Sequence, residues 1–132
     1  MSRILIVEDQ DLVRRSMRLW LEQVGHEVEE AADGALGLRL LRHSGFDLVV
    51  TDIFMPNVEG LELVRRIRRQ HPQVRIVVVS GGLAVGGVSM LEAARKLGAH
   101  ETVPKPFTPR DLTEAVFRCL ASRRDGVALS SL

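Results

Sequence analysis

The sequence predicts a doubly wound α/β domain, with five parallel strands in the order 2-1-3-4-5 and helices on both faces. Three observations predict it. Apolar runs at residues 3–7 (RILIV), 46–51 (FDLVVT) and 74–79 (VRIVVV) are dense in Val, Ile and Leu without clean alternation. That is the pattern of strands buried on both faces. Helical patterns lie between the runs, and each connection is too long for a hairpin. Consecutive strands therefore run parallel, joined by right-handed crossovers.

The elements follow in order. The first strand, residues 3–7, ends at Glu8-Asp9. Over residues 10–24, Val13, Met17, Trp20, Leu21 and Val24 recur at three- and four-residue steps and make one apolar stripe. Arg14, Arg15, Arg18 and Glu22 fall largely off it, and Gly25 caps the end. Residues 26–31 (HEVEEA) are more polar and suit an edge strand. Asp33-Gly34 starts a second helix carrying Leu36, Leu40 and Leu41, which ends near Ser44-Gly45. The third strand closes on Asp52. A helix over residues 58–70 turns Leu61, Val64 and Ile67 inward until Pro72 stops it. The fourth strand ends at Ser80. The fourth helix covers residues 89–97 and stops at Gly98. A weaker fifth strand, residues 101–103, precedes Lys105. The fifth helix has the clearest start, with Thr108 as N-cap, Pro109 in the first helical position and Asp111 at the positive end. Residues 123–132 read as a frayed tail, so the domain spans residues 1–122 with no output domain behind it.

Composition narrows the function. The 132 residues make about one domain, large enough to fold without a disulfide or metal. Hydrophobic residues at 45% and charged residues at 27% are ordinary for a soluble globule. A net charge of +1 gives weak bulk attraction to DNA or an anionic membrane, so neither is expected as a direct partner. Cys119 is the single cysteine, so no intramolecular disulfide and no Cys-rich zinc site exists. The apolar run after Arg3 is too short for a signal peptide, and no stretch approaches the ~18 apolar residues of a spanning helix. A cytoplasmic location is expected. His26, His43, His71 and His100 show no metal spacing and read as surface residues. Arg65, Arg66, Arg68 and Arg69 read as a solvated face. The glycine-rich segment after Ser80 lacks the lysine of a P-loop.

The informative residues sit at strand ends. Glu8 and Asp9 follow the first strand, Asp52 ends the third, Ser80 the fourth and Lys105 the fifth. In such a sheet, sites form at the carboxyl ends of the strands where strand order reverses, here between the first and third. Asp9 and Asp52, with Glu8 beside them, present hard oxygen ligands suited to Mg²⁺. A carboxylate next to bound Mg²⁺ is a competent nucleophile toward phosphorus. Lys105 supplies a compact positive charge for a phosphoryl oxygen, and Ser80 supplies a hydrogen-bond donor. Only two lysines occur in the chain against sixteen arginines, which sets Lys105 apart from background.

These pieces together resemble the receiver domain of bacterial two-component response regulators, a flavodoxin-like (βα)5 fold. The resemblance covers residues 3–122 and rests on Glu8-Asp9, Asp52-Ile53-Phe54-Met55-Pro56 with Gly60, Ser80-Gly81 and Lys105-Pro106-Phe107. It implies that Asp52 accepts the phosphoryl group. It implies that Glu8, Asp9, Asp52 and the backbone carbonyl of Phe54 hold Mg²⁺. It also implies that Ser80 follows the phosphoryl group on activation, that Lys105 pairs with it, and that the bond before Pro106 is cis. The implied donor is a sensor histidine kinase or a histidine phosphotransfer protein. Three positions depart from the family pattern. Thr102 stands where an aromatic switch residue is usual, and the chain has no tyrosine. The segment after Ser80 is glycine-rich and longer than usual. Phe54 and Gly82 stand where polar side chains often influence dephosphorylation, which predicts a long-lived phosphoryl group.

The expected function is a phosphorylation-dependent signalling switch, stand-alone and acting through a downstream protein or a phosphorelay. It catalyses its own phosphorylation and dephosphorylation and turns over no external substrate. The fourth helix, fifth strand and fifth helix would form the output face, and dimerisation through the fourth and fifth helices follows from the resemblance. Two alternatives stand beside this reading: the receiver part of a longer, DNA-binding regulator, and a constitutive interaction module that does not use phosphorylation.

Overall fold

A computed structural model describes residues 2–53, 59–80, 84–85 and 88–130. Strand β1 (Arg3–Val7) leads into α1 (Asp11–Gln23), β2 (Glu27–Ala31), α2 (Gly34–His43), β3 (Leu48–Asp52), α3 (Glu59–Gln70) and β4 (Arg75–Ser80). A short pair, β5 (Ala84–Val85) and β6 (Val88–Ser89), precedes α4 (Met90–Leu97), β7 (Glu101–Pro104) and α5 (Pro109–Ser130). The main sheet has five strands, all parallel, in the order β2-β1-β3-β4-β7. With β7 as the fifth strand of that sheet, this is the expected 2-1-3-4-5 order. The polar strand β2 lies at an edge, also as expected.

Successive strand residues point to opposite faces, and the two faces build two cores. On one, Ile4, Ile6, Leu48, Val50, Val77 and Val79 meet Met17 and Leu21 of α1 and Leu112, Ala115 and Val116 of α5. On the other, Leu5, Val7, Val49, Ile76 and Val78 meet Leu38 and Leu41 of α2, Leu63, Val64 and Ile67 of α3, and Ala94 of α4. Each fully buried aliphatic side chain contributes ~1.5–3 kcal/mol relative to its exposed state. Strands this apolar cannot slip register without carrying polar strand ends into a core.

The helix boundaries have local causes. Asp33 caps α2, its side chain accepting from the Leu36 amide at 2.8 Å. Thr108 and Asp111 form a reciprocal capping box at the start of α5: the Asp111 amide donates to Thr108 Oγ1 at 3.0 Å and the Thr108 amide to Asp111 Oδ2 at 2.9 Å. Gly25 ends α1 with a φ of +98°, a backbone shape that a side chain disfavours.

Several expectations are corrected. Arg14, read as off the buried stripe of α1, is buried, because its guanidinium is enclosed by carboxylates and a backbone carbonyl. Val24, placed on that stripe, is 55% exposed. His100 is not a free surface residue; it is half-buried and accepts a hydrogen bond from the Ile76 amide through Nδ1 at 3.0 Å. Nδ1 of His26 and Nε2 of His71 are also buried. The chain beyond residue 122, read as a frayed tail, continues α5 as far as Ser130. The β5–β6 pair is not among the expected strands, and Ser89, expected to open the fourth helix, lies in β6.

Candidate functional site

The carboxyl ends of β1, β3 and β7 bring three of the expected residues, Glu8, Asp52 and Lys105, into one cluster beside the end of β4. The Glu8 amide donates to the Ala31 carbonyl at 3.1 Å, extending the β1–β2 pairing by one residue and fixing where Glu8 starts. Asp52 is the last residue of β3 and is 4% exposed. The Lys105 amide donates to the Ser80 carbonyl at 2.7 Å, which carries the chain after β7 across the end of β4. The Lys105–Pro106 bond is cis, as expected. From this anchored position Lys105 Nζ reaches Asp52 Oδ2 at 2.6 Å and Glu8 Oε1 at 3.6 Å.

Electrostatics follow from the burial. Glu8 is 1% exposed. Its carboxyl is pushed up to about 7, chiefly by burial, with the Asp9 hydrogen bond and the Asp52 charge adding to the effect. The Gln10 amide, which donates to Glu8 Oε2 at 3.1 Å, and the Lys105 charge pull the other way. Burial works against the Lys105 ammonium, but its hydrogen bond to Asp52 and the charges of Asp52 and Glu8 outweigh it, so its pKa lies above the ordinary lysine value. Lys105 therefore stays charged and balances part of the acid cluster.

The expected residues do not all share one place. Asp9 is exposed at the mouth of the cluster, whereas Ser80 is fully buried at the end of β4. Thr102 lies apart from the acids, at the seam between β7 and α4, where its Oγ1 accepts from Arg95 Nη2 at 3.3 Å. The carbonyl of Phe54 lies outside the described residues. Beside Lys105, a groove of about 570 Å³ runs between α1 and the turn before α5, lined by Gln10, Leu12, Val13, Trp20 and Phe107. The Trp20 and Phe107 rings close its floor edge to face, centroids 6.2 Å apart.

Sequence reasoning missed Arg14. Its Nη1 donates to the Glu8 carbonyl at 2.8 Å, Nε to Glu30 Oε1 at 2.9 Å and Nη2 to Asp11 Oδ1 at 2.6 Å. The local signal was the Asp11–Arg14 spacing on one helix face. The Glu30 partner is invisible without the β1–β2 pairing.

The donor set fits a hard divalent cation. Among the described residues no three His, Cys, Asp or Glu side chains are spaced to enclose a metal by themselves. Mg²⁺ does not require that, since it keeps several waters and binds through one or two carboxylates. Glu8 Oε1 is a buried acceptor without a hydrogen bond, and it faces the same cluster as Asp52. A cation there would lower the cost of holding these carboxylates ionised together.

The structure is thus a doubly wound α/β domain with an acid cluster and a lysine at the switch point of its parallel five-stranded sheet. Residues 4–117 match the response regulator receiver domain family, and the chain belongs to that family. It is 33% identical over 97% of its length to the DNA-binding transcriptional regulator NtrC of Azospirillum brasilense, of which it covers 26%. It is 36% identical over 87% of its length to the sensor kinase CckA of Brucella abortus, of which it covers 12%. Among solved structures, a CheY-like receiver domain protein from Methanospirillum hungatei superposes with a TM-score of 0.85 at 31% identity, covering 96% of this chain and 98% of that one. The chain thus spans about a quarter or less of these two curated relatives and nearly all of the solved receiver. Among the described residues no helix is long and apolar enough to cross a membrane.

Proposed function

We propose that this receiver is a phosphorylation-dependent switch whose phosphoryl acceptor is Asp52. The observation that carries the reading is the 2.6 Å contact between Lys105 Nζ and Asp52 Oδ2, made by two residues from the ends of different strands. A buried carboxylate pinned by a lysine at the switch point of the sheet is a nucleophile with a cation ready for the incoming group.

The donor is a phosphohistidine of a sensor histidine kinase or a phosphotransfer protein. A carboxylate oxygen of Asp52 attacks phosphorus. The phosphorus–nitrogen bond breaks and its electron pair stays on the histidine ring. The product is an aspartyl phosphate. Asp9 and Asp52 would hold Mg²⁺, with Glu8 behind them and the Phe54 carbonyl as the ligand the family resemblance supplies. When bound there, such an ion would supply charge neutralisation for the carboxylates and the incoming phosphoryl oxygens. Lys105 moves its hydrogen bond from Asp52 to a phosphoryl oxygen. The Ser80 hydroxyl donates to another, and this shift transmits the change to the segment before α4. Output passes through a partner protein or onward phosphotransfer. The length of the regulators it matches favours a second setting, in which the same receiver works as one module of a larger regulator. The natural reading frame decides between the two.

Intact mass after incubation with acetyl phosphate, with and without Mg²⁺, tests the chemistry. One phosphoryl adduct is expected, dependent on Mg²⁺ and abolished by Asp52→Asn. An adduct that persists in Asp52→Asn, or forms equally in chelator, would refute the assignment.

A further inference from the structure

The Arg14 guanidinium joins three separate pieces of chain. It reaches the Glu8 carbonyl just past β1, the Asp11 carboxylate in the first turn of α1, and the Glu30 carboxylate on β2. Its side chain is 10% exposed and that of Glu30 19%, so these two are enclosed, while the Asp11 carboxylate closes the junction from the surface at 75% exposed. Gln10, the residue before α1, makes no side-chain cap on that helix. Between Val7 and Asp11, the chain that carries both Glu8 and Asp9 is held by the Glu8 amide to β2, the Gln10 amide to Glu8's own carboxylate, the Lys105 ammonium near Glu8 Oε1, the Arg14 amide to the Gln10 carbonyl, and the Arg14 guanidinium. Of these, only Arg14 ties the Glu8 carbonyl to α1.

We infer that Arg14 is a positioning residue for the acid pair, setting the spacing of the Glu8 and Asp9 carboxylates through the Glu8 carbonyl and thereby the affinity of the site for a divalent cation. The inference deepens the phosphoryl-acceptor reading and rests on it. Arginine suits the task because its planar fork of donors fixes several acceptors in one plane. A lysine carries its three donors on one nitrogen and lacks the spread of Nε, Nη1 and Nη2 that meets these three acceptors. Glu30 acts one step further out: its second oxygen takes Arg18 Nη1 at 2.9 Å, which clamps it in the orientation that Arg14 needs. Groups that orient metal ligands from behind change metal affinity by ~10–100-fold when removed.

The test measures cation affinity directly, and separately from turnover. Mn²⁺ binding is followed by the loss of the free-ion paramagnetic resonance signal. The Mg²⁺ dependence of adduct formation from acetyl phosphate is measured alongside. Arg14→Met is expected to raise the Mn²⁺ dissociation constant and the half-saturating Mg²⁺ by about tenfold, with the rate at saturating Mg²⁺ largely kept. Arg14→Lys should rescue little of this, and Glu30→Gln should give a smaller shift in the same direction. Arg3→Met is the control. Arg3 also binds β2, through Glu29 at 3.1 Å, but at the opposite end of the strand pair. It should lose stability with unchanged cation affinity. Equal shifts in Arg14→Met and Arg3→Met would overturn the inference, since general loosening would then explain both. Unchanged affinity in a folded Arg14→Met would also overturn it. If Arg14→Met does not fold, Arg14→Lys and Glu30→Gln carry the same comparison. Failure of the underlying reading looks different: the wild-type chain itself would bind no Mn²⁺ and take no phosphoryl group.

Discussion

Acid should weaken this fold through one residue far from the carboxylate cluster. His100 stands just before β7, where its amide donates to the Ile76 carbonyl at 2.8 Å and its Nδ1 accepts from the Ile76 amide at 3.0 Å. The ring thus completes a two-point link between β4 and the chain entering β7. Protonation of Nδ1 would remove the acceptor and leave the Ile76 amide facing a cation. Burial, with the charges of Arg75 and Arg68, lowers the His100 pKa from 6.5 to about 4. Between those values the unfolded chain binds the proton and the folded chain does not, so stability falls as pH falls. The contribution is complete above pH 6.5 and is lost progressively toward pH 4. The full difference between the two values is worth about 3 kcal/mol. The ring is only half-buried, and screening by solvent reduces that to ~1–2 kcal/mol. His100→Asn isolates the effect, because the amide oxygen of asparagine can take the place of Nδ1 and does not titrate. Urea unfolding at pH 7, 6 and 5 should show the wild type losing ~1 kcal/mol more than His100→Asn over that range. Parallel pH profiles for the two proteins would refute the reasoning.

The other predictions concern packing, capping and the site. Gly60→Ala should destabilise the fold by ~1–3 kcal/mol in urea, despite alanine's better helix propensity. A Cβ there would lie 2.6 Å from the backbone carbon of Ile53, next to Asp52, and backbone cannot yield as a side chain can. A stabilised variant would refute that close approach. Asp33→Ala should cost about 1 kcal/mol through loss of the α2 cap, whereas Asp33→Asn should cost less. Lys105→Met should slow adduct formation from acetyl phosphate at least tenfold while Asp52 remains the modified residue, located by peptide mapping. Phe54→Asn should shorten the lifetime of the phosphorylated chain, because phenylalanine cannot orient an attacking water. A wild type that decays faster than Phe54→Asn would contradict this.

The fold was legible because burial on both faces leaves a strong mark on sequence. RILIV and VRIVVV read as strands buried on both faces and HEVEEA as an edge, and the sheet order places them so. The capping residues Asp33 and Thr108 were legible for a local reason, since each bond they make lies within three residues. The long-range partnerships were not. Arg14 looks like any exposed helix arginine until β1 and β2 pair and bring Glu30 to it. His100 looks like a loop histidine until β4 and β7 pair. The strand pair β5–β6 escaped notice because its glycine-rich neighbourhood carries no alternation to read. In the site, residue types announced the acids and the lysine. That Lys105 lies closer to Asp52 than to Glu8 follows only from the register of β7 on β4, which sets where the chain crosses Ser80.

That register would also let one lysine serve both states of the proposed switch. The backbone of Lys105 is fixed to Ser80 by its amide, while its four-carbon side chain is free to redirect the ammonium. Before phosphorylation the ammonium balances Asp52, with Glu8 Oε1 as a second and more distant acid. On the proposed phosphorylation the negative charge would move outward onto phosphoryl oxygens, and the same ammonium could follow without moving the strand. Ser80 holds the lysine through its carbonyl, and in the proposed switch its hydroxyl would donate to the phosphoryl group. A pull on that hydroxyl therefore acts on the segment between β4 and α4 from a point already tied to the site. Ser80→Ala should separate the two roles: the carbonyl anchor and adduct formation persist, while the change at α4, followed by amide hydrogen exchange, is lost. Undiminished change at α4 in Ser80→Ala would place the coupling in Lys105 alone.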